Sequence, residues 1–215
     1  MKTLKKELPF IIIALIPFAY LAFIYNDLPQ TLPMHYDIHG NVDRFGNKSE
    51  LILLTSILSG LGYFLFLIIP SIDPKMKIQE MESKYYSIRL VTSVFLTFLT
   101  LFILYSSNST SMNPKVLFAI LGMFFAFLGN YFKTIKPNYF IGIRTPWTLE
   151  NETIWKKTHL IAGKIWFVGG ILIACGYFLP NNLNQIVVFS LLGIIILFPI
   201  IYSYLEFKKT KTEHL

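Results

Sequence analysis

Six long apolar runs separated by polar stretches set the pattern of this chain. They fall at about residues 9–25, 51–72, 90–105, 116–132, 161–179 and 185–205. Each approaches the ~20 residues that carry a helix across ~30 Å of hydrocarbon. The runs are continuously apolar rather than alternating, which argues against a β-barrel. An open sheet would leave its edge amides unpaired in lipid. The pattern therefore predicts an all-α, polytopic membrane protein with six transmembrane helices in one bundle. The third and fourth runs are the shortest and are expected to extend into their flanks. A basic start, Met1-Lys-Thr-Leu-Lys-Lys-Glu7, precedes the first run without a small-x-small cleavage site after it, so an uncleaved signal anchor is expected.

Composition agrees with this pattern. Of 215 residues, 54% are hydrophobic and 14% charged, whereas soluble domains carry roughly 25% charged residues. The net charge of +7 needs no nucleic-acid partner, because the positive-inside rule accounts for it. Lys and Arg concentrate on the N-tail, the second and fourth loops and the C-tail, Lys75 and Arg89 among them. The opposite set of loops holds Arg44, Lys48 and Lys115, and Lys164 lies within a run. This asymmetry places both termini in the cytoplasm, loop 26–50 outside and loop 133–158 inside. No apolar run contains Asp or Glu, and Lys164 is the one ionisable residue read as lying inside the hydrocarbon boundary. It either snorkels to the headgroups or takes an internal pairing or ligand role. The single cysteine, Cys175, excludes an intrachain disulfide. Loop 73–88 reads as a solvated connector with Tyr85 and Tyr86 near the interface. Small residues at Ser59-Gly60-x-Gly62 and Gly169-Gly170 allow close helix packing.

The outer loop is longer than a helix hairpin needs. Pro29 and Pro33 favour extended backbone, and Gly40 and Gly46 allow turns of positive φ, so it should be compact and turn-rich with short extended pieces. His35, Asp37 and His39 alternate and would share one face of a strand, a weak metal-ligand pattern. Hydrogen-bond staples between His35 and Asp43 or Asp37 and Lys48, or a docking surface for an external ligand, are the other readings.

The inner loop holds Asn138-Tyr-Phe-Ile-Gly-Ile-Arg-Thr-Pro-Trp-Thr-Leu149, then Trp155 and His159. Thr145-Pro146 reads as an N-cap followed by proline at the first helical position. Glu150 and Glu152 would fall in the first turns of a short helix. Trp155 and His159, four apart, share a face. Trp147 and Trp155 suit the headgroup level. Arg144 offers a rigid fork of donors to a carboxylate or phosphate. The segment is either a lipid-anchoring interfacial helix or a closed polar site built on Arg144.

Gly129-Asn130, Asn138-x-x-Ile-Gly-Ile-Arg-Thr-Pro-Trp-Thr-Leu149, Trp155-Lys-Lys-Thr-His159 and Gly163 resemble the SdpI family of bacterial membrane proteins. Leu28-Pro29, Pro33-x-His35, Gly40, Asp43 and Lys48 resemble the N-terminal module that often accompanies it. The resemblance implies a module over residues 1–72 and an SdpI-like four-helix region over 73–215. It implies a multi-pass protein of the bacterial cell membrane that protects its producer from a secreted, membrane-active toxin peptide met on the outer face. The family's namesake also signals by holding a repressor protein at the membrane, which suggests a cytoplasmic repressor as a further partner beside membrane lipid. The motif residues carried over are Asn138, Gly142, Arg144, Thr145, Pro146, Trp147, Trp155 and His159 inside, and Pro33, His35, Gly40, Asp43 and Lys48 outside. Neither catalytic residues nor a cofactor are implied. Two alternatives stand beside this reading. A transporter of amphiphilic compounds would lack an intramembrane carboxylate for proton coupling, and a metal-dependent membrane enzyme would have to use the outer-loop His and Asp residues.

Overall fold

The structure is a computed structural model that describes residues 2–212 apart from 75, 108 and 110; Lys75 of the charge pattern lies outside them. Among the described residues, six helical stretches are long and apolar enough to cross a membrane: Lys5–Ile24, Ser49–Ile72, Glu82–Ser106, Pro114–Phe132, Glu152–Phe178 and Asn181–Thr210. These are the six expected runs. The third extends into its N-terminal flank by two turns. The fifth starts at Glu152, so the residues around Trp155 and His159 belong to the span's own helix. Large apolar side chains remain exposed along the spans, Phe23, Phe64, Phe98 and Ile186 among them, as expected where lipid is the solvent.

The chain forms two compact units, one of residues 1–68 with 89–120, the other of 69–88 with 121–215. In the first, helix α1 (Lys2–Ile24) leads into a hairpin of strands β1 (Thr31–Tyr36) and β2 (Val42–Asn47). The second span follows as α2 (Ser49–Thr55), a π-helical segment (Ser56–Leu61) and α3 (Gly62–Ile72). In chain order α5 (Glu82–Ser106) follows the short α4 (Lys77–Glu80), whose residues belong to the second unit. Leu21, Leu28, Leu32, Leu51 and Leu104 form a buried cluster under the hairpin. Further along, Gly62 lies against Leu96, where a Cβ would come within 2.8 Å of the leucine.

The first unit also holds an ion pair absent from the sequence reading. Arg89 of α5 donates through two nitrogens to both carboxylate oxygens of Glu7 in α1, at 2.8 and 2.7 Å. The side chains are 7% and 20% exposed. The guanidinium also lies 4.0 Å from the centre of the Phe10 ring, and the Tyr63 hydroxyl donates to Glu7 at 3.3 Å. Both charges lie within helical stretches long and apolar enough to span. Bidentate pairing compensates the two charges, although Arg89 Nε keeps no hydrogen-bond partner.

In the second unit, α6 (Pro114–Phe132) and α8 (Glu152–Cys175) run antiparallel in backbone contact. A Cβ on Gly129 would come within 2.6 Å of Phe167 N and 2.7 Å of Gly163 O, and one on Gly122 within 2.6 Å of Gly170 O. Only residues without side chains let two helices approach this closely. Helix α9 (Asn181–Thr212) packs along α8, and Trp166 Nε1 of α8 donates to Ile195 O of α9 at 3.0 Å. Segment 73–88 is not the solvated connector expected: Ile78, Met81, Tyr85 and Ile88 are buried, and Asp73, also buried, accepts from Ile78 N–H at 3.0 Å. Spacings of three and four give this segment one apolar face. On its polar face Glu80 bridges Lys77 (2.8 Å) and Lys136 (2.9 Å), and hydrogen bonds from these two ammonium groups hold its carboxyl below the usual range.

Candidate functional site

The inner motif is built around two buried side chains, Asn138 and His159. Asn138 Oδ1 accepts from the N–H groups of Phe140 (2.8 Å) and Ile141 (2.7 Å). Its Nδ2 donates to the carbonyls of Lys136 (2.8 Å) and Ile141 (3.0 Å). That uses the full donor and acceptor capacity of an amide, and it folds residues 136–141 around one side chain.

Gly142 then adopts φ +110°, and a Cβ there would overlap His159 Nε2. Glycine alone meets both demands. The next amide, Ile143 N–H, donates to His159 Nε2 at 3.0 Å. A backbone amide can only donate, so Nε2 is the bare nitrogen. The ring hydrogen is on Nδ1 and goes to the Trp155 carbonyl at 2.8 Å. Trp155 stacks on the imidazole with ring centres 4.0 Å apart and 20° between planes. Its Nε1 donates to Ile135 O at 2.7 Å. Trp155 is fully buried: a stack with His159 and a backbone hydrogen bond hold it inside the protein.

Thr145 is the expected N-cap, with Pro146 at the first position of α7 (Pro146–Glu150). It forms a capping box with Thr148: Thr145 N–H donates to Thr148 Oγ1 at 2.9 Å, and Thr148 N–H to Thr145 Oγ1 at 3.4 Å. Such a cap stabilises a helix end by about 1 kcal/mol. The buried Thr148 hydroxyl also reaches Ile143 O at 2.9 Å, which closes the loop. Glu150 ends α7 and Glu152 begins α8 across the cap Asn151, so the two acids do not share the one short helix expected.

Trp147 anchors α7 on α9. Its Nε1 donates to Ser203 Oγ at 2.7 Å, and its ring meets Tyr204 edge-on at 5.4 Å and stacks on Phe207 at 5.9 Å. Trp147→Phe keeps most ring contacts and loses the hydrogen bond. A loss of about 1 kcal/mol is expected. Urea titration of the full chain in detergent measures it, and Ser203→Ala added to Trp147→Phe should cost little more.

Arg144 differs from its neighbours. It is exposed, donates to the Tyr139 carbonyl, and has no carboxylate partner among the described residues. The loop therefore fixes the base of one guanidinium and leaves its remaining donors open.

The hairpin holds the outer motif. Pro33 lies in β1 opposite Phe45. His35 and Asp43 flank a register shift, and their side chains meet at 2.6 Å, as one expected staple required. The other staple does not form. Lys48 instead donates to the carbonyls of Tyr25 (3.1 Å) and Leu28 (3.4 Å) at the end of α1. Asp37 accepts from the N–H groups of His39 (2.8 Å) and Asn41 (2.9 Å), and these bonds, Asn41 foremost, lower its pKa. Its oxygens shape the turn. Among the described residues no three His, Cys, Asp or Glu side chains are grouped to hold a metal ion. Gly40 turns with φ +88°, and its carbonyl accepts from Met112 N–H at 2.9 Å. Gly46 needs no positive φ. It sits in β2, where a Cβ would collide with Glu50. Tyr36 OH donates to Ser106 O at 2.6 Å, so the hairpin is tied both to the last residue of α5 and to the connection after it.

The structure thus brings Asn138, Gly142, Thr145, Trp155 and His159 into one interlocked loop, with Trp147 on α9 and Arg144 facing out. Of the outer set, His35 and Asp43 form a pair, while Pro33, Gly40 and Lys48 serve separate positions in the hairpin. Sequence reasoning missed Thr148, Ser203 and the Glu7–Arg89 pair. Thr148 alone carried a signal, as the third residue after the cap Thr145.

Six apolar spans and two structured loops define a multi-pass α-helical membrane protein. In its C-terminal third the chain is similar to the SdpI family of bacterial membrane proteins. Residues 134–203 match the SdpI/YfhL protein family, the stretch of α7, α8 and most of α9 with the loop that closes on His159. Residues 12–59 match a domain of unknown function (DUF1648), which covers the hairpin. The chain is 26% identical over 207 residues to the immunity protein SdpI of Bacillus subtilis, covering 96% of this chain and 98% of that protein. It is 40% identical over 40 residues to an uncharacterized protein of Archaeoglobus fulgidus, covering 19% of this chain and 22% of that one. No solved structure matches.

Proposed function

We propose that this protein confers immunity: it protects the membrane that contains it from a secreted, membrane-active toxin peptide. The observation that carries the reading is similarity to an immunity protein over 96% of the chain. The charge asymmetry of the loops supports an orientation with both termini in the cytoplasm and the hairpin outside. In that orientation the hairpin meets the peptide first. Arg144, held by a rigid loop with donors to spare, is the inner contact. It suits a carboxylate of a cytoplasmic partner, such as a repressor held at the membrane on toxin binding.

The test is protection. A toxin-sensitive bacterium expressing the chain should survive the secreted peptide. Arg144→Ala and His35→Ala should each abolish survival while the protein still accumulates in the membrane. Arg144 makes one hydrogen bond to the fold and His35 is exposed, so neither change removes a buried contact. Full protection by both variants would refute the assignment of these residues. Failure of the unaltered chain to protect against any such peptide would refute immunity itself.

A further inference from the structure

We infer that the groove between α6 and α8 is a binding site for one anionic phospholipid. The groove encloses about 300 Å³ and is lined by Gly129, Asn130 and Lys133 on one side and Leu160, Gly163, Lys164 and Phe167 on the other. Its floor exists because Gly129 and Gly163 bring the two backbones into contact and leave no side chains to fill the space. Its chemistry is divided. Leu160 and Phe167, 50% and 44% exposed, offer apolar surface where an acyl chain would lie. Lys133, Lys164 and Asn130 offer donors and no carboxylate.

The two lysines stand apart from others of this unit. Lys77 and Lys136 pair with Glu80, Lys156 with Glu152, and Lys157 and Lys209 with Glu206. Lys133 and Lys164 have no acidic partner among the described residues. Helix direction brings them together. Side chains lean towards the N-terminus of their own helix, so Lys164 of α8 reaches back towards Leu160. Antiparallel packing puts that level beside the C-terminal end of α6, where Lys133 follows. Both lysines line the same groove, whose other side chains include Leu160 and Phe167. A phosphodiester between them, hydrogen-bonded by Asn130, with a chain along Leu160 and Phe167, satisfies every group present. This also separates the two readings of Lys164: it reaches the headgroup level and holds a ligand there. Basic pockets between membrane helices take anionic headgroups for the same electrostatic reason.

The occupant is a lipid rather than free phosphate, because a soluble anion would leave the apolar half of the groove uncovered. The inference does not rest on the immunity reading, and its test reads lipid, not protection. Full-length protein is reconstituted in nanodiscs of mixed phosphatidylglycerol and phosphatidylcholine, released into mild detergent, and its retained lipid counted by native mass spectrometry. The unaltered chain should keep one phosphatidylglycerol in preference to phosphatidylcholine. The double variant Lys133→Gln/Lys164→Gln should lower that preference at least about tenfold, since each lysine near an anionic surface contributes roughly fivefold. Lys133→Arg/Lys164→Arg should restore it and so separate charge from fold. Lys156→Gln, on an exposed paired lysine, should leave it unchanged. Equal retention of the two lipids by the unaltered chain, undiminished preference in the double variant, or displacement of the lipid by millimolar inorganic phosphate would each overturn the inference.

Discussion

Gly142→Ala is expected to destabilise the protein by about 2–4 kcal/mol and to abolish the closed form of the inner loop. Two costs combine. A φ of +110° is a conformation that an L side chain rarely adopts, and holding it costs about 1–3 kcal/mol. The methyl would also overlap His159 Nε2. That ring cannot retreat, because Trp155 stacks on it at 4.0 Å and Phe132 lies 5.7 Å away. The Ile143–His159 hydrogen bond must therefore lengthen or break, at a further cost of about 1 kcal/mol. Denaturant titration in detergent measures the loss. Gly193→Ala is the matched control: a Cβ there meets nothing within 4 Å, so in the middle of a helix it should be neutral or stabilising by about 0.5–1 kcal/mol. A Gly142→Ala protein as stable as the unaltered chain would mean that the loop does not close on His159.

The second large effect concerns Glu7 and Arg89. Either Glu7→Gln or Arg89→Met alone should cost about 3–5 kcal/mol, because each leaves a partner charge without its counter-ion in a place poor in water. Arg89 is the more severe position: its side chain is only 7% exposed and its Nε already lacks a partner. The double variant Glu7→Leu/Arg89→Met should recover most of the loss, since apolar groups of similar size replace the pair without an orphaned charge. Protein yield in the membrane and denaturant midpoint read the cycle. Additive losses in the double variant would show that the two residues act separately.

These two sites illustrate what the sequence made legible. The spans were readable because long continuous apolar runs admit one structure in lipid. The Thr145-Pro146 cap and the His35–Asp43 staple were readable because each depends on residues close along the chain. Glu7 and Arg89 were counted as ordinary tail and loop charges. Nothing local announces that residues 82 positions apart meet on two helices. Trp155 was read on residue type alone, and its burial rests on a hydrogen bond to Ile135, twenty residues away. Gly142 stood out only as a motif residue, and the space it leaves for a buried ring is a tertiary fact. Segment 73–88 looked polar by composition, yet Ile78, Met81, Tyr85 and Ile88 follow a helical period that a count of charges conceals.

The two glycine contacts between α6 and α8 act as rivets at different heights. Gly129 meets Gly163, and seven residues away, Gly122 meets Gly170. Seven residues are nearly two helical turns, ~10.5 Å. One such contact would be a pivot; two fasten the pair against sliding and against scissoring. The loop from Lys133 to Asn151 is therefore a strap tied at both ends to a single rigid beam. A message received elsewhere could tilt that beam as a whole, or free the strap from it, but it could not travel as slippage of one helix along the other.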